Sequence, residues 1–422
     1  MNPVGKQRVA FATLGCKLNY AESSTLARQF QEAGYEVVPS TQVADVYVIN
    51  TCSVTEHSDK KCRNIIRRLI KRNPDARIAV TGCYAQLKAD EIAAIPGVDL
   101  VVGADQKGNL FARLSELPAK SGGAGRIHAC AINQVATIFP AYSSGERTRS
   151  FLKVQDGCNY RCSYCTIPMA RGESRNLPIA TLVQEAERIA AAGIREVVLT
   201  GVNTGDFGRT TGESFLELLK ALNAVDGIER YRISSIEPNL LTEEILAWIA
   251  GGSKFAPHFH IPLQSGSDRI LAAMRRRYNT TRFREKIALV RKYVDHVFIG
   301  IDVIVGFPGE TQELFEETCS LLEELRPAFI HVFPYSRRPG TDAASMPDQV
   351  PEPVKEERVA RLSALCERLH QEFCEQNRGR EETVLFESTL RGGKMFGYTS
   401  NYIRVERPYD REMIGKLIKV TL

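Results

Sequence analysis

The sequence predicts an α/β protein in three parts: an N-terminal doubly wound α/β domain, a central partial (β/α)6 barrel, and a small C-terminal all-β module. Three observations predict it. Short apolar runs alternate with helical patterns through residues 7–105. A second series of the same kind begins near Phe151, and the last stretch drops the helical period for β-type patterning punctuated by Gly. The expected boundaries are 6–118 for the first domain, 119–147 for a linker, 148–378 for the barrel and 380–422 for the β module.

In the first series RVAFATLG, VYVIN and RIAVTG are apolar runs of strand length, the pattern of strands buried in a parallel sheet. AESSTLARQFQEAG and KCRNIIRRLIKR carry the spacing of crossover helices. A Gly/Ser/Ala-rich stretch around Lys120–Gly125 reads as linker. The strands of the second series are SFLKVQD, EVVLTG, YRISSIE, HFHIPLQ, HVFIGIDVIVG and FIHVFPY, with helical segments such as PIATLVQEAERIAAAG between them. Such a barrel gathers its chemistry at the C-terminal strand ends. TVLFESTL, MFGYTSNYIRVERP and GKLIKVTL make the final module.

Composition is that of an ordinary soluble protein: 422 residues, 43% hydrophobic, 25% charged, net charge +5. The opening MNPVGKQRVAFATLG lacks the pattern of a signal peptide, and no apolar run reaches membrane-spanning length. These features point to the cytoplasm and to no membrane partner. In that reducing compartment the 11 cysteines are better read as metal ligands or catalytic groups than as disulfides.

DGCNYRCSYC places Cys158, Cys162 and Cys165 in a C-x-x-x-C-x-x-C spacing, one ligand short of a closed thiolate site. A zinc site wants a fourth Cys or His nearby, whereas the nearest histidines are His128 before the motif and His258 and His260 far after it. A four-iron cube held by three thiolates exposes one iron to an exogenous ligand. The open cluster is the favoured reading; an incomplete zinc site or chance spacing stays open. Cys16, Cys52 and Cys83 each follow the end of an expected parallel strand. The carboxyl ends of such strands share one sheet edge, so the three can converge on a second open cluster, with buried cysteines packed as small apolar groups the alternative. Cys62, Cys130, Cys319, Cys366 and Cys374 read as ordinary packing or surface residues.

C-x-x-x-C-x-aromatic-C after the first strand of a partial barrel resembles the radical S-adenosylmethionine superfamily. The resemblance implies that Cys158, Cys162 and Cys165 hold a 4Fe-4S cluster whose unique iron chelates the amino and carboxyl groups of S-adenosyl-L-methionine. The missing ligand is then the cofactor itself. Further cofactor contacts are implied at Tyr164, at Gly201 and Asn203 in LTGVN, at Ser235 and Glu237 in SSIEP, at Gln264 in HIPLQSGS, and at Val305 in DVIVGFPGE.

Two three-cysteine sets in this order resemble the methylthiotransferases, which end in a TRAM domain; the module here is short for one. GCKLNYAES, MRRRYNT and HVFPYSRRPGT resemble the MtaB-type branch, which modifies threonylcarbamoyladenosine at position 37 beside the tRNA anticodon. The isopentenyladenosine branch reads closer to GCQMN in the first segment and the ribosomal-protein branch closer to GCPKN. The resemblance implies a transferase that uses two molecules of S-adenosylmethionine and two 4Fe-4S clusters, the N-terminal one held by Cys16, Cys52 and Cys83. One molecule methylates a sulfide at the N-terminal cluster, and the other yields the deoxyadenosyl radical. Implied partners are the tRNA anticodon loop, an electron donor such as flavodoxin or ferredoxin, and a sulfur donor, with the enzyme a monomer. Arg337 and Arg338 in YSRRPGT are candidate donors to the threonylcarbamoyl group. Basic segments at Lys60–Arg72 and Met274–Tyr278 can supply phosphate contacts or be solvated surface. A non-catalytic iron-sulfur RNA-binding or electron-transfer protein is the rival class; an electron carrier would cap its clusters with a fourth cysteine.

Overall fold

The computed structural model describes residues 6–53, 55–118, 120, 123–145 and 148–422. The reading of the first five residues, and part of that of the linker, fall outside these. The chain divides into two compact units. One comprises the chain up to Ser143 with Phe151–Tyr160 and Cys165–Leu177; the other comprises Ser144–Ser150, Arg161–Tyr164 and Pro178–Leu422. Among the described residues no helix is long and apolar enough to cross a membrane.

The first unit is built on β1 (Arg8–Thr13), β2 (Glu36–Pro39), β3 (Val46–Thr51), β4 (Arg77–Gly82), β5 (Leu100–Val102) and β6 (Arg126–His128). Among the described residues they form one sheet in the order β2-β1-β3-β4-β5-β6, every pair parallel. All residues of β3 are buried, as a central strand covered on both faces requires. Ala10, Tyr47, Ile49, Ile78 and Val80 pack with Ile66 and Leu69 of the helix Glu56–Arg72. The alternate residues Val9, Val46, Val48 and Ala79 pack with Leu26 and Phe30 of the helix Lys17–Glu32. The helix Glu56–Arg72 begins where the Thr55 hydroxyl accepts the Ser58 N–H and ends on Lys71 and Arg72, charges that suit its dipole. Within the stretch expected as linker, Arg126–His128 adds the edge strand β6.

The strand β7 (Arg149–Lys153) has residues in both units. In the first, β8 (Gln155–Asp156) pairs antiparallel with β9 (Arg175–Asn176), on either side of the cysteine loop. The second unit carries β10 (Glu196–Thr200), β11 (Arg230–Ile233), β12 (His258–His260), β13 (Phe298–Val305) and β14 (Phe329–Pro334). Parallel ladders join β10 to β11 and β12 to β13 to β14, and the parallel bridges Tyr231 to Phe255 and Ser235 to His260 connect the two groups. Helices intervene, as the partial barrel expected from sequence demands. Side chains of β13 alternate: Ile301, Val303 and Val305 are wholly buried, whereas Asp302 and Ile304 are half-buried on the opposite face. The chain ends in an antiparallel sheet of β15 (Glu381–Arg391), β16 (Lys394–Tyr398), β17 (Arg404–Pro408) and β18 (Leu417–Thr421), ordered β17-β16-β15-β18 around Val384, Phe386 and Met395.

A buried carboxylate fastens this sheet to the strands before it. Glu196 accepts from Arg232 Nε at 2.7 Å and Arg230 Nε at 2.5 Å, with Arg149 at 3.8 Å. Arg232 and Arg230 donate onward to the carbonyls of Thr399, Ser400, Thr383 and Tyr398. Burial alone would raise the Glu196 pKa, but Arg232, Arg230 and Arg149 more than reverse this and bring it down to about 2 from 4.5. The folded pKa therefore lies below the unfolded one. The carboxylate's contribution to stability is complete above about pH 4.5 and is lost as pH falls toward 2. Glu196→Gln is expected to cost about 3 kcal/mol at pH 7, because it leaves buried guanidinium groups without their anion. It should also flatten the acid limb of a urea-unfolding series. An unchanged acid limb in the variant would count against this account.

Candidate active site

Three cysteines stand at one sheet edge. β1, β3 and β4 are neighbours, and Cys16, Cys52 and Cys83 directly follow or closely follow their carboxyl ends. Cys16 is exposed and caps the helix Lys17–Glu32; Cys52 and Cys83 are buried. A Cβ on Gly15 would sit 2.9 Å from Cys52 Sγ, and one on Gly82 would sit 2.3 Å from the Thr51 carbonyl oxygen. Both glycines also have φ near +100°, so the close approach of these loops depends on glycine at 15 and 82. Burial pushes the Cys83 thiol up, while Arg171 and Lys107 pull it back and Cys16 lies close enough to repel it as a thiolate. The Cys62 thiol, raised to about 11 by burial, donates to the Cys52 carbonyl at 3.4 Å and steadies that loop.

Beneath these cysteines lies a buried charge network. Glu22 takes Lys107 Nζ at 2.6 Å, Lys153 Nζ at 2.7 Å and Arg171 Nη1 at 3.3 Å. Asp156 takes Lys153 at 2.6 Å and Arg171 at 2.8 Å. Burial opposes both carboxylates, yet the surrounding cations hold both well below the usual carboxylate range. Arg171 also donates to Asn19 Oδ1 at 2.6 Å, and Asn19 Nδ2 donates to the carbonyls of Leu14 and Thr51, which precede Cys16 and Cys52. At the other end Asp156 Oδ1 accepts the N–H of Gly157, next to Cys158. One network therefore holds the loops of Cys16, Cys52 and Cys158. In this network three cations meet two carboxylates.

The loop cysteines 158, 162 and 165 are all partly exposed. Cys158 Sγ accepts the Tyr160 N–H at 3.4 Å, and Cys162 Sγ accepts Arg276 Nη1 at 3.2 Å. The Arg276 side chain is buried, paired with Glu237 Oε2 at 2.5 Å and bonded to the Tyr278 hydroxyl. Hydrogen bonds and a cation directed at sulfur suit a thiolate ligand. Tyr164 packs edge-on against Phe307 beside Ile304 and Met274. The Asn203 side chain accepts the Glu237 N–H at 3.2 Å, joining two of the strand ends named from sequence. Ser235 and Gln264 lie in the backbone bridges that continue the sheet, Gln264 with φ +71°. Gly201 is half-buried at the end of β10, while Val305 is wholly buried with its carbonyl taken by the Tyr335 N–H.

The family model described as Uncharacterized protein family UPF0004 matches residues 8–103, and that of the Radical SAM superfamily matches residues 152–322. The threonylcarbamoyladenosine tRNA methylthiotransferase MtaB of Bacillus subtilis (strain 168) is 42% identical over 98% of this chain and 93% of its own. That of Aquifex aeolicus (strain VF5) is 39% identical over 98% of this chain and 100% of its own. The chain belongs to the MtaB-type radical S-adenosylmethionine methylthiotransferases. It is also similar to a tRNA-2-methylthio-N(6)-dimethylallyladenosine synthase of Thermobifida fusca (strain YX), 38% identical over 88% of this chain and 76% of that one. Among solved structures the radical S-adenosylmethionine methyltransferase TsrM from Kitasatospora setae has a TM-score of 0.58 at 16% identity, covering 80% of this chain and 77% of its own. The cobalamin-dependent radical enzyme OxsB reaches 0.52 at 13%, covering 87% and 56%. Both are likenesses of fold.

In this methylthiotransferase the Met274–Tyr278 segment divides in a way its sequence does not reveal. Arg275 pairs with Asp342 at the surface and Arg277 is exposed, but Arg276 turns inward to the cysteine loop. Arg338 is buried, and Arg337 is exposed with its Nε on the Ala344 carbonyl at 2.7 Å. On the helix Glu56–Arg72, residues His57, Lys60, Lys61, Asn64, Ile65 and Arg68 line an open basic groove of about 370 Å³. Sequence reasoning passed over Glu22, Lys107, Lys153 and Arg171. The available signal was a lysine inside the apolar run SFLKVQD, a position where a charge is kept only if paired.

Proposed function

We propose that this methylthiotransferase converts threonylcarbamoyladenosine at position 37 of tRNA to its 2-methylthio derivative. The observation that carries the reading is a pair of three-cysteine sets, each one ligand short, in a chain similar over nearly its whole length to relatives named for that reaction. The family implies S-adenosyl-L-methionine and 4Fe-4S clusters as cofactors. When bound, these supply the reducing electron, the hydrogen-abstracting radical and an open iron for sulfur. In this reading Cys158, Cys162 and Cys165 hold one cluster and Cys16, Cys52 and Cys83 the other. The donor set fits: Arg276 offers charge to Cys162, and Lys107 and Arg171 partly offset the burial that raises the Cys83 thiol. In the same reading Tyr164, Gly201, Asn203, Ser235, Glu237, Gln264 and Val305 serve the cofactor, and Arg337 and Arg338 the threonylcarbamoyl group. Residues 6–118 form the sulfur-holding domain, 148–378 the radical domain and 380–422 the RNA-contacting module. An electron donor of the flavodoxin or ferredoxin type and a sulfur donor complete the cycle in the cytoplasm, with the enzyme acting as a monomer.

The threonylcarbamoyl group carries a carboxylate and a hydroxyl, so its pocket needs polar partners that an isopentenyl group would leave buried and unpaired. Reconstituted enzyme is expected to methylthiolate tRNA bearing threonylcarbamoyladenosine at least about a hundredfold faster than tRNA bearing isopentenyladenosine. Nucleoside mass spectrometry of both reactions measures this. Equal rates, or a preference for the isopentenyl form, would move the enzyme to the branch of the Thermobifida relative.

A further inference from the structure

Three consecutive strands of the second unit bring together side chains that the reaction above does not use. His260 ends β12, Asp302 lies within β13 and His331 within β14. Each offers one ligand atom, and the three atoms lie within 4.8 Å of one another. Among the described residues no other His, Cys, Asp or Glu trio is so gathered. The strand register explains the convergence. Asp302 stands opposite His331, and His260 stands opposite Gly300, two residues before Asp302 and on the same face. The His260 ring lies over Gly300, where a Cβ would stand 3.5 Å from its Nδ1, an ordinary contact. The ring leans along the strand until its Nε2 is 2.7 Å from Asp302 Oδ2, with the His331 ring centroid 5.0 Å away.

Two imidazoles and one carboxylate on rigid strands are the donor set of borderline divalent transition ions, and a poor one for magnesium or calcium, which take oxygen ligands. We propose that His260, Asp302 and His331 form a mononuclear site for a divalent transition metal ion of the zinc or ferrous class, separate from the cysteine sites. Three protein ligands leave at least one position for an exogenous oxygen donor, as in catalytic rather than structural zinc sites. Asp302 shares its face of β13 with Ile304, which packs against the same apolar cluster as Tyr164.

The test uses the holoenzyme reconstituted with iron and sulfide, passed over a chelating column and equilibrated with Zn2+ alone, with metals counted by mass spectrometry. The parent should retain about one zinc per chain beyond its cluster iron. His331→Ala and Asp302→Asn should bind zinc roughly tenfold or more weakly, with iron, sulfide and circular dichroism unchanged. If His331→Ala does not fold, His331→Gln keeps the side-chain bulk, removes the imidazole and serves the same comparison. Zinc retained equally by parent and folded variants, or no zinc retained by the parent at micromolar free metal, overturns the site.

Discussion

Replacing Cys158, Cys162 and Cys165 together by Ala is expected to abolish reductive cleavage of S-adenosylmethionine and to remove about half of the eight irons that two cubes would bring. The two effects have one cause, since all three thiols lie in the one loop that follows β8. The complementary Cys16/Cys52/Cys83 variant should also lose half the iron, yet keep some cleavage while forming no methylthio product. Iron and sulfide analysis, deoxyadenosine formation and nucleoside mass spectrometry separate the three readouts. Normal product from the second variant would remove the sulfur-holding role from the N-terminal cysteines, and zinc in place of iron would remove the clusters altogether.

Glu22→Ala is expected to destabilise the first unit by about 3–5 kcal/mol, because it strips a shared carboxylate from three buried cations. Glu22→Gln keeps nearly all the volume and loses only the charge, so a similar loss there assigns the effect to electrostatics and not to a cavity. The sign of the pH dependence is fixed by the depressed carboxylates. Glu22 and Asp156 ionise in the folded state far below their unfolded values, so their stabilisation is full above about pH 4.5 and declines as pH falls below it. Urea unfolding of parent and variants at pH 7 and at pH 4 measures both claims. A cost below about 1 kcal/mol for both variants would mean that the cations find other partners or water, and that the network is not what fixes the cysteine loops.

The strands that carry the chemistry were legible because each is an apolar run bounded by a turn: RVAFAT, VYVINT and RIAVTG occupy β1, β3 and β4 with the cysteines at or just past their ends. The short strands β2, β5 and β6 were not, since runs of three or four residues carry no sustained pattern. Spacing also singled out both cysteine triads, because a thiol after each of three strands and three thiols in one loop make a pattern visible along the chain. Charged residues gave no such signal. Arg276 sits among three arginines that read alike, Lys107 and Arg171 look like surface residues in their segments, and His331 is one histidine in an apolar strand.

By itself the sequence determined the order of the three parts, the parallel sheets, the three thiols after strand ends and the three in one loop, since period, turn residues and cysteine spacing are written along the chain. Tertiary structure alone decided which charges leave water. Only packing sets Glu22 against Lys107 and Lys153, turns Arg276 onto Cys162, and draws His260, Asp302 and His331 onto one face of three strands. The physical reason is that a charge costs little in solvent and much in a protein interior unless a partner meets it there, and that partner is distant in sequence.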